Sequence, residues 1–275
     1  MIQLDQVAAA NFHYKRYSLE YFLDSAARLG FKNIELWASG PHFHLDYYTP
    51  QMVRDLKQKI RDRGLKVICF TPEQSVYPIS ISHPDPAYRK ASVEFFQRHI
   101  EAAVELDCDQ MLVTTGLAYL DADDQEMWKW IRESLGEICK TAEREGVKLP
   151  LEAFTSFSTH VFNSAAHIAR MIEEVGSPNL KGLADTDVMA TTGKDTIHDF
   201  IRDLGSNMTY VHFVDGNPGG HLVPGEGKLP MEEALQALQD CGYKGYLGLE
   251  LLDRRYVLEP EQAMRDSLAW FKQRL

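Results

Sequence analysis

Short apolar runs rich in β-branched and aromatic residues alternate with longer amphipathic stretches along the whole chain. The runs predict strands at Val7 to Asn11, Asn33 to Trp37, Leu65 to Phe70, Gln110 to Thr115, Val147 to Glu152, Leu180 to Asp185, Thr209 to Val214 and Tyr246 to Leu251. The stretches between them predict helices at Leu19 to Leu29, Pro50 to Arg63, Pro86 to Leu106, Asp124 to Glu145, Ser164 to Val175, Thr196 to Leu204, Met231 to Asp240 and Pro260 to Arg274. Punctuation agrees: Ser18 and Thr49 precede helix starts, Pro50 opens one, and Gly30, Gly64, Gly146, Gly176 and Gly242 follow helix ends. Strict strand–helix alternation predicts a parallel sheet, and eight such units predict its closure into a (β/α)8 TIM barrel of the α/β class.

Four short apolar runs at the ends of predicted strands, Pro-Leu-Glu152, Gly-Leu-Ala-Asp185, Tyr-Val-His212 and Gly-Leu-Glu250, each finish on a residue that can bind a divalent metal, spaced 33, 27 and 38 residues apart. In parallel sheets function gathers at the carboxyl ends of strands, so these side chains are placed to converge on one point. Three carboxylates and an imidazole make a hard, mostly oxygen site. It suits Mn²⁺ first, with Mg²⁺, Co²⁺, Ni²⁺ or Zn²⁺ also acceptable, and it differs from a thiolate-rich structural zinc site. The alternative is structural, with Asp185 and Glu250 capping helices or pairing with cations and His212 as a hydrogen-bonded barrel residue. The joint arrangement favours the metal. Beside such an ion the natural chemistry is proton movement next to a carbonyl, through an enediolate, with Glu152 and Glu250 as the acid and base of an epimerisation.

Composition narrows the setting. At 275 residues and 44% apolar, the chain buries a full core, and ~250 residues is typical of one barrel, so a single domain over 1–275 is expected. There is no run of 18 apolar residues and no basic-then-apolar leader, which predicts neither a membrane span nor a secretory signal. Cys69, Cys108, Cys139 and Cys241 are scattered without a CxxC pair, as in a cytoplasmic protein with reduced thiols, and all four read as small core residues. A net charge of −11 repels nucleic acid and anionic lipid and leaves small neutral or cationic ligands as the easier partners.

Three long loops, Ser39 to Thr49, Thr71 to Asp85 and Asp215 to Leu229, follow predicted strands on the face that carries the metal residues. They supply candidate substrate-binding residues: His42, Glu73 and His221, with Trp37 at a strand end placed to stack on a sugar face. Each has a bland alternative as a loop anchor, a hydrogen-bonded residue or a pocket wall. Gly225-Glu226-Gly227 lacks the longer frame of a phosphate-binding loop and reads as a tight turn.

The segments Trp37-Ala-Ser-Gly-Pro-His42, Thr71-Pro-Glu73 with Tyr77-Pro78, Val211-His212-Phe-Val-Asp215, Pro224-Gly-Glu-Gly-Lys228 and Gly245-Tyr-Leu-Gly-Leu-Glu250 resemble the xylose-isomerase-like sugar isomerases and epimerases. The ketosamine (fructoselysine) and ketose (tagatose, psicose) 3-epimerase branches are nearest. The resemblance spans essentially the whole chain. It implies a (β/α)8 barrel, a divalent metal such as Mn²⁺ held by Glu152, Asp185, His212 and Glu250, the two glutamates as proton carriers, a small carbohydrate substrate and a homo-oligomer. Three departures separate this chain from the ketose branch. Ser158 stands where that branch has a glutamate, Val188 where it has a histidine, and Asp215-Gly216-Asn217-Pro218 carries no arginine. The alternatives within reach are another sugar isomerase or a polyol dehydratase of the same superfamily, and a DNA-repair phosphodiesterase. The last needs more histidine ligands and a basic groove.

Overall fold

The computed structural model describes residues 1–76 and 78–275; Tyr77, of the Tyr77-Pro78 pair, lies outside the described residues. Strands β1 (Val7–Ala10), β2 (Asn33–Ala38), β3 (Lys66–Pro72), β4 (Val113–Thr114), β5 (Leu149–Glu152), β6 (Leu180–Asp185), β7 (Met208–His212) and β8 (Tyr246–Leu249) pair in parallel in the order 3-2-1-8-7-6-5-4. Closure comes at the β3–β4 seam, where the Phe70 N–H donates to Gln110 O at 3.0 Å and the Leu112 N–H to Phe70 O at 3.0 Å. Beyond that the Gln74 amide continues the seam, donating to Leu112 O at 3.2 Å and accepting from the Thr114 N–H at 2.5 Å. The β4 run is therefore shorter than its apolar pattern predicts, because a side chain replaces backbone pairing along part of it.

Eight helices stand where the pattern puts them: α1 (Leu19–Leu29), α2 (Pro50–Arg61), α3 (Pro86–Glu105), α4 (Asp124–Glu145), α5 (Ala165–Val175), α7 (Ile197–Leu204), α8 (Met231–Asp240) and α9 (Pro260–Lys272). Ser18 caps α1 by accepting from the Tyr21 N–H at 3.2 Å, and Gly146 ends α4 at φ +71°, a conformation that L side chains resist. One further α-helix among the described residues, α6 (Thr186–Thr192), was not visible in the pattern. It starts because the Asp185 carboxylate accepts from the N–H groups of Asp187 and Val188 at 2.7 and 3.3 Å, and it is too short to show a period.

Strand residues alternate between two environments. Ile34, Leu36, Val211, Phe213, Leu247 and Leu249 face the layer between barrel and helices, where side chains such as Phe22 and Leu23 of α1 are fully buried. Each such residue contributes about 1.5–3 kcal/mol. Ala8, Ile68, Cys69, Leu112, Leu183 and Tyr210 fill the barrel interior. Residues one pleat further along, at the carboxyl ends, project above that plug. Cys241, expected in the core, is exposed, because it falls just past the end of α8; the other three cysteines are buried and all four are free. No helix among the described residues is long and apolar enough to cross a membrane.

Candidate metal centre and pocket

Strand register brings the four strand-end residues together. Asp185 and His212 are direct partners across β6 and β7, His212 pairs with Gly248 on β8, and Glu250 lies two residues further on the same face. Glu152 closes β5 beside Thr114. The outcome is one group in which Glu152, Asp185, His212 and Glu250 each offer a ligand atom, all within 4.8 Å of one another. His212 Nδ1 sits 3.0 Å from Glu152 Oε1, 3.1 Å from Glu250 Oε2 and 3.7 Å from Asp185 Oδ2. Donors at right angles about an ion ~2.1 Å away stand ~3.0 Å apart, so this spacing and this donor set fit a divalent metal. Capping a helix does not withdraw Asp185 from the group: one oxygen starts α6 and the other faces His212.

The electrostatics follow from crowding acids around one imidazole in a dry place. Burial pushes the Glu152 carboxyl up to about 8 against the pull of His212, with Glu250 and Asp185 adding repulsion. Burial acts the same way on Glu250, but His212 and His221 beside it outweigh it and hold this carboxyl below the usual range. Burial opposes charge on His212, yet Glu250, Glu35 and Glu152 raise its pKa well above the ordinary imidazole value. A divalent ion bound here competes with protons for the same lone pairs, so its affinity rises with pH.

A cavity of about 240 Å³ opens above the group, lined among others by Glu152, Glu250, Trp37, Glu73, Phe12 and Lys15. Trp37 forms a wall, stacked on Phe12 with centroids 5.2 Å apart and 22° between planes. Glu73 lines the same cavity while its Oε1 accepts from the Ser75 N–H at 2.8 Å. His42 is spent elsewhere: it is buried, Nδ1 accepts from Asn11 Nδ2 at 2.7 Å and Nε2 donates to Tyr17 O at 2.9 Å. His221 leans on the group itself, with Nδ1 donating to Glu250 O at 3.0 Å and standing 3.2 Å from Glu250 Oε2, while Nε2 is 3.4 Å from Asp187 Oδ2. Burial opposes its protonation, but Asp185, Glu250 and Asp187 push its pKa up to about 10.

The sequence from residue 23 to 274 matches the family described as the xylose isomerase-like TIM barrel. This chain belongs to that family. It is 28% identical over 261 residues to the fructoselysine 3-epimerase of Shigella flexneri, covering 94% of both chains. It is also 28% identical over 242 residues to the D-psicose 3-epimerase of Ruminiclostridium cellulolyticum, covering 84% of this chain and 77% of that one. A crystal structure of the D-psicose 3-epimerase of Clostridium cellulolyticum with D-tagatose superposes with a TM-score of 0.81 at 22% identity over 97% of this chain and 98% of that one, a likeness of fold.

Four residues around this group were given no role in the sequence reading. Glu35, fully buried in the middle of β2, reaches His212 from below. Its signal was an acid at an inward position between Ile34 and Leu36. Lys15, just past β1, brings a cation to the cavity, and Asp187 backs His221. Asp215 organises the loop after β7: its carboxylate accepts from the N–H groups of Gly216 (2.7 Å), Gly225 (2.9 Å), Gly227 (3.0 Å) and Leu229 (3.0 Å). The donors of Gly225-Glu226-Gly227 thus cradle an internal carboxylate, and a Cβ at Gly227 would strike Asp215 Oδ1.

Proposed function

We propose that this chain, acting as one domain over residues 1–275, is a divalent-metal-dependent carbohydrate epimerase that inverts C3 of a ketose or ketosamine. The observation that carries this reading is a pair of carboxylates, Glu152 and Glu250, that line one cavity from β5 and β8 and flank one metal-fitting group. The two strands stand three places apart in the barrel order, so the carboxylates approach the cavity from different sides. Glu152, Asp185, His212 and Glu250 would hold the ion, with Mn²⁺ first in order.

A divalent ion held by these four residues would supply Lewis acidity that polarises the substrate carbonyl. One glutamate removes the C3 proton, the electron pair moves into the carbonyl to give an enediolate, and the other glutamate delivers a proton to the opposite face of C3. Each turnover leaves the two carboxylates with exchanged protonation, which the reverse reaction or the bound imidazoles and solvent restore. Trp37 and Phe12 offer an aromatic wall to the sugar.

For the substrate, the fructoselysine-like ketosamine is preferred. The similarity to a fructoselysine 3-epimerase spans nearly the whole chain. Lys15 and Glu73 also bring opposite charges to one cavity, as an amino-acid substituent requires. Val188 and the arginine-free Asp215-Gly216-Asn217-Pro218 depart from the ketose branch in the same sense. A phosphodiesterase has less support: His42 is engaged by Asn11 and Tyr17, and a net charge of −11 repels nucleic acid.

The test is proton exchange in D₂O by NMR with Mn²⁺ supplied and then removed, using fructoselysine, psicose, tagatose and fructose in parallel. Deuterium at C3 with formation of the C3 epimer is expected, fastest for fructoselysine. Exchange at C1 would make the enzyme an aldose–ketose isomerase, and exchange with none of the four would set the epimerase reading aside.

A further inference from the structure

Among the described residues the one ion-pair partner of Glu35 is His212, and the carboxylate is fully buried inside the barrel. Its carboxylate accepts from Thr71 Oγ1 at 2.6 Å and Tyr210 OH at 2.8 Å, and Oε1 stands 3.2 Å from His212 Nε2. Burying a carboxylate is costly, and the hydrogen bonds from Thr71, Tyr210 and His212 are what make it tolerable. Space is reserved for the arrangement: at Gly248 a Cβ would strike the Tyr210 hydroxyl and come within 2.9 Å of Glu35 Oε2. The other ring nitrogen of His212 faces Glu152, Glu250 and Asp185.

We infer that Glu35 is a positioning residue for the metal centre: it holds the His212 proton on Nε2 and fixes the ring plane, so that Nδ1 presents its lone pair to the ion. A neutral imidazole has one N–H and one lone pair, and the partner at one nitrogen decides the role of the other. An acceptor-only carboxylate at Nε2 selects the tautomer with the proton there. Thr71 and Tyr210 in turn fix the carboxylate, so β2, β3 and β7 all contribute to orienting one ligand supplied by β7. The inference rests on the reading of Glu152, Asp185, His212 and Glu250 as a metal centre.

The experiment is calorimetric titration of chelator-stripped protein with Mn²⁺, on wild type, His212→Ala, Glu35→Gln and Thr71→Val with Tyr210→Phe, alongside histidine ¹⁵N NMR of the Mg²⁺-loaded wild type. Wild type should bind one Mn²⁺ and His212→Ala should lose most of that affinity; if either fails, the metal-centre reading falls and the inference with it. Glu35→Gln, close to isosteric, should bind about 10- to 100-fold more weakly. The Thr71→Val, Tyr210→Phe double variant should fall in between, with a thermal melt of each metal-free variant separating this from loss of fold. The NMR spectrum should report His212 protonated on Nε2 only. Wild-type affinity in a folded Glu35→Gln, or a His212 proton on Nδ1 in the loaded wild type, would overturn the inference while leaving the metal centre standing.

Discussion

Replacing Asp215 by Asn tests how the loop after β7 is held and how that loop serves the site. The carboxylate accepts four backbone N–H groups, Gly216 and Leu229 on Oδ1 and Gly225 and Gly227 on Oδ2. Asn keeps the size but turns one oxygen into an NH₂ group, so whichever way the amide faces, two N–H donors meet a donor. Bonds to a charged acceptor contribute about 1.5–3 kcal/mol each, and two are lost. Some of this returns as water reaches the loop, so the net loss is about 3–4 kcal/mol. For a chain of this length that lowers Tm by roughly 5–7 °C if the loop unfolds with the barrel. The same loop carries His221, which holds Glu250 through its backbone and side-chain oxygens, so turnover should fall as well. Urea unfolding and a thermal melt give the loss of stability, hydrogen exchange over residues 216–229 the loosening of the loop, and the C3-exchange assay the fall in turnover. An Asp215→Asn protein with wild-type stability and undiminished protection of the Gly225 and Gly227 amides would refute the reasoning.

Glu152→Gln and Glu250→Gln should each lower turnover by about 10²- to 10⁴-fold, the usual worth of a positioned acid or base, measured as C3 exchange; near-normal exchange in both variants would end the two-carboxylate mechanism. Saturating Mn²⁺ at about 100 times its dissociation constant should stabilise the stripped protein by about 2.7 kcal/mol, seen as a rise in Tm of several degrees that EDTA reverses and His212→Ala abolishes. Acid should weaken the fold through His13 and His99, which burial holds down at about 3 and about 4. Below pH 6.5 the unfolded chain takes up protons that the folded chain refuses, so their contribution is complete above pH 6.5 and is lost as pH falls toward those values. At pH 5 each costs about 2 kcal/mol, so the drop in unfolding free energy from pH 7 to pH 5 should be about 2 kcal/mol smaller in His13→Gln than in wild type, a comparison in which the metal-site residues cancel. An identical drop in both proteins would mean that His13 is protonated in the fold.

The barrel was legible because its information is local. Period-two runs, amphipathic stretches and capping residues each act over one turn or one strand, and all eight expected helices formed within two or three residues of their expected ends. The strand-end residues were legible for a related reason: once β5 to β8 are located, parallel pairing leaves little choice about where Glu152, Asp185, His212 and Glu250 point. His42 shows the limit. Its place in a long loop on the pocket face was readable, but its burial against Asn11 and Tyr17 depends on how that loop folds back over β1.

The amino-acid sequence by itself therefore determined the eightfold alternation, the parallel sheet and the four converging strand ends. Tertiary structure alone decided that Gln74 bridges the β3–β4 seam, that Glu35 reaches His212 across the barrel, that Lys15 borders the cavity and that Asp215 gathers the glycine turn. Those contacts join residues brought together by barrel closure and loop return, and Glu35 and His212 are 177 positions apart. Residue patterning specifies which face a side chain takes on its own element; only the register between elements specifies what it meets there.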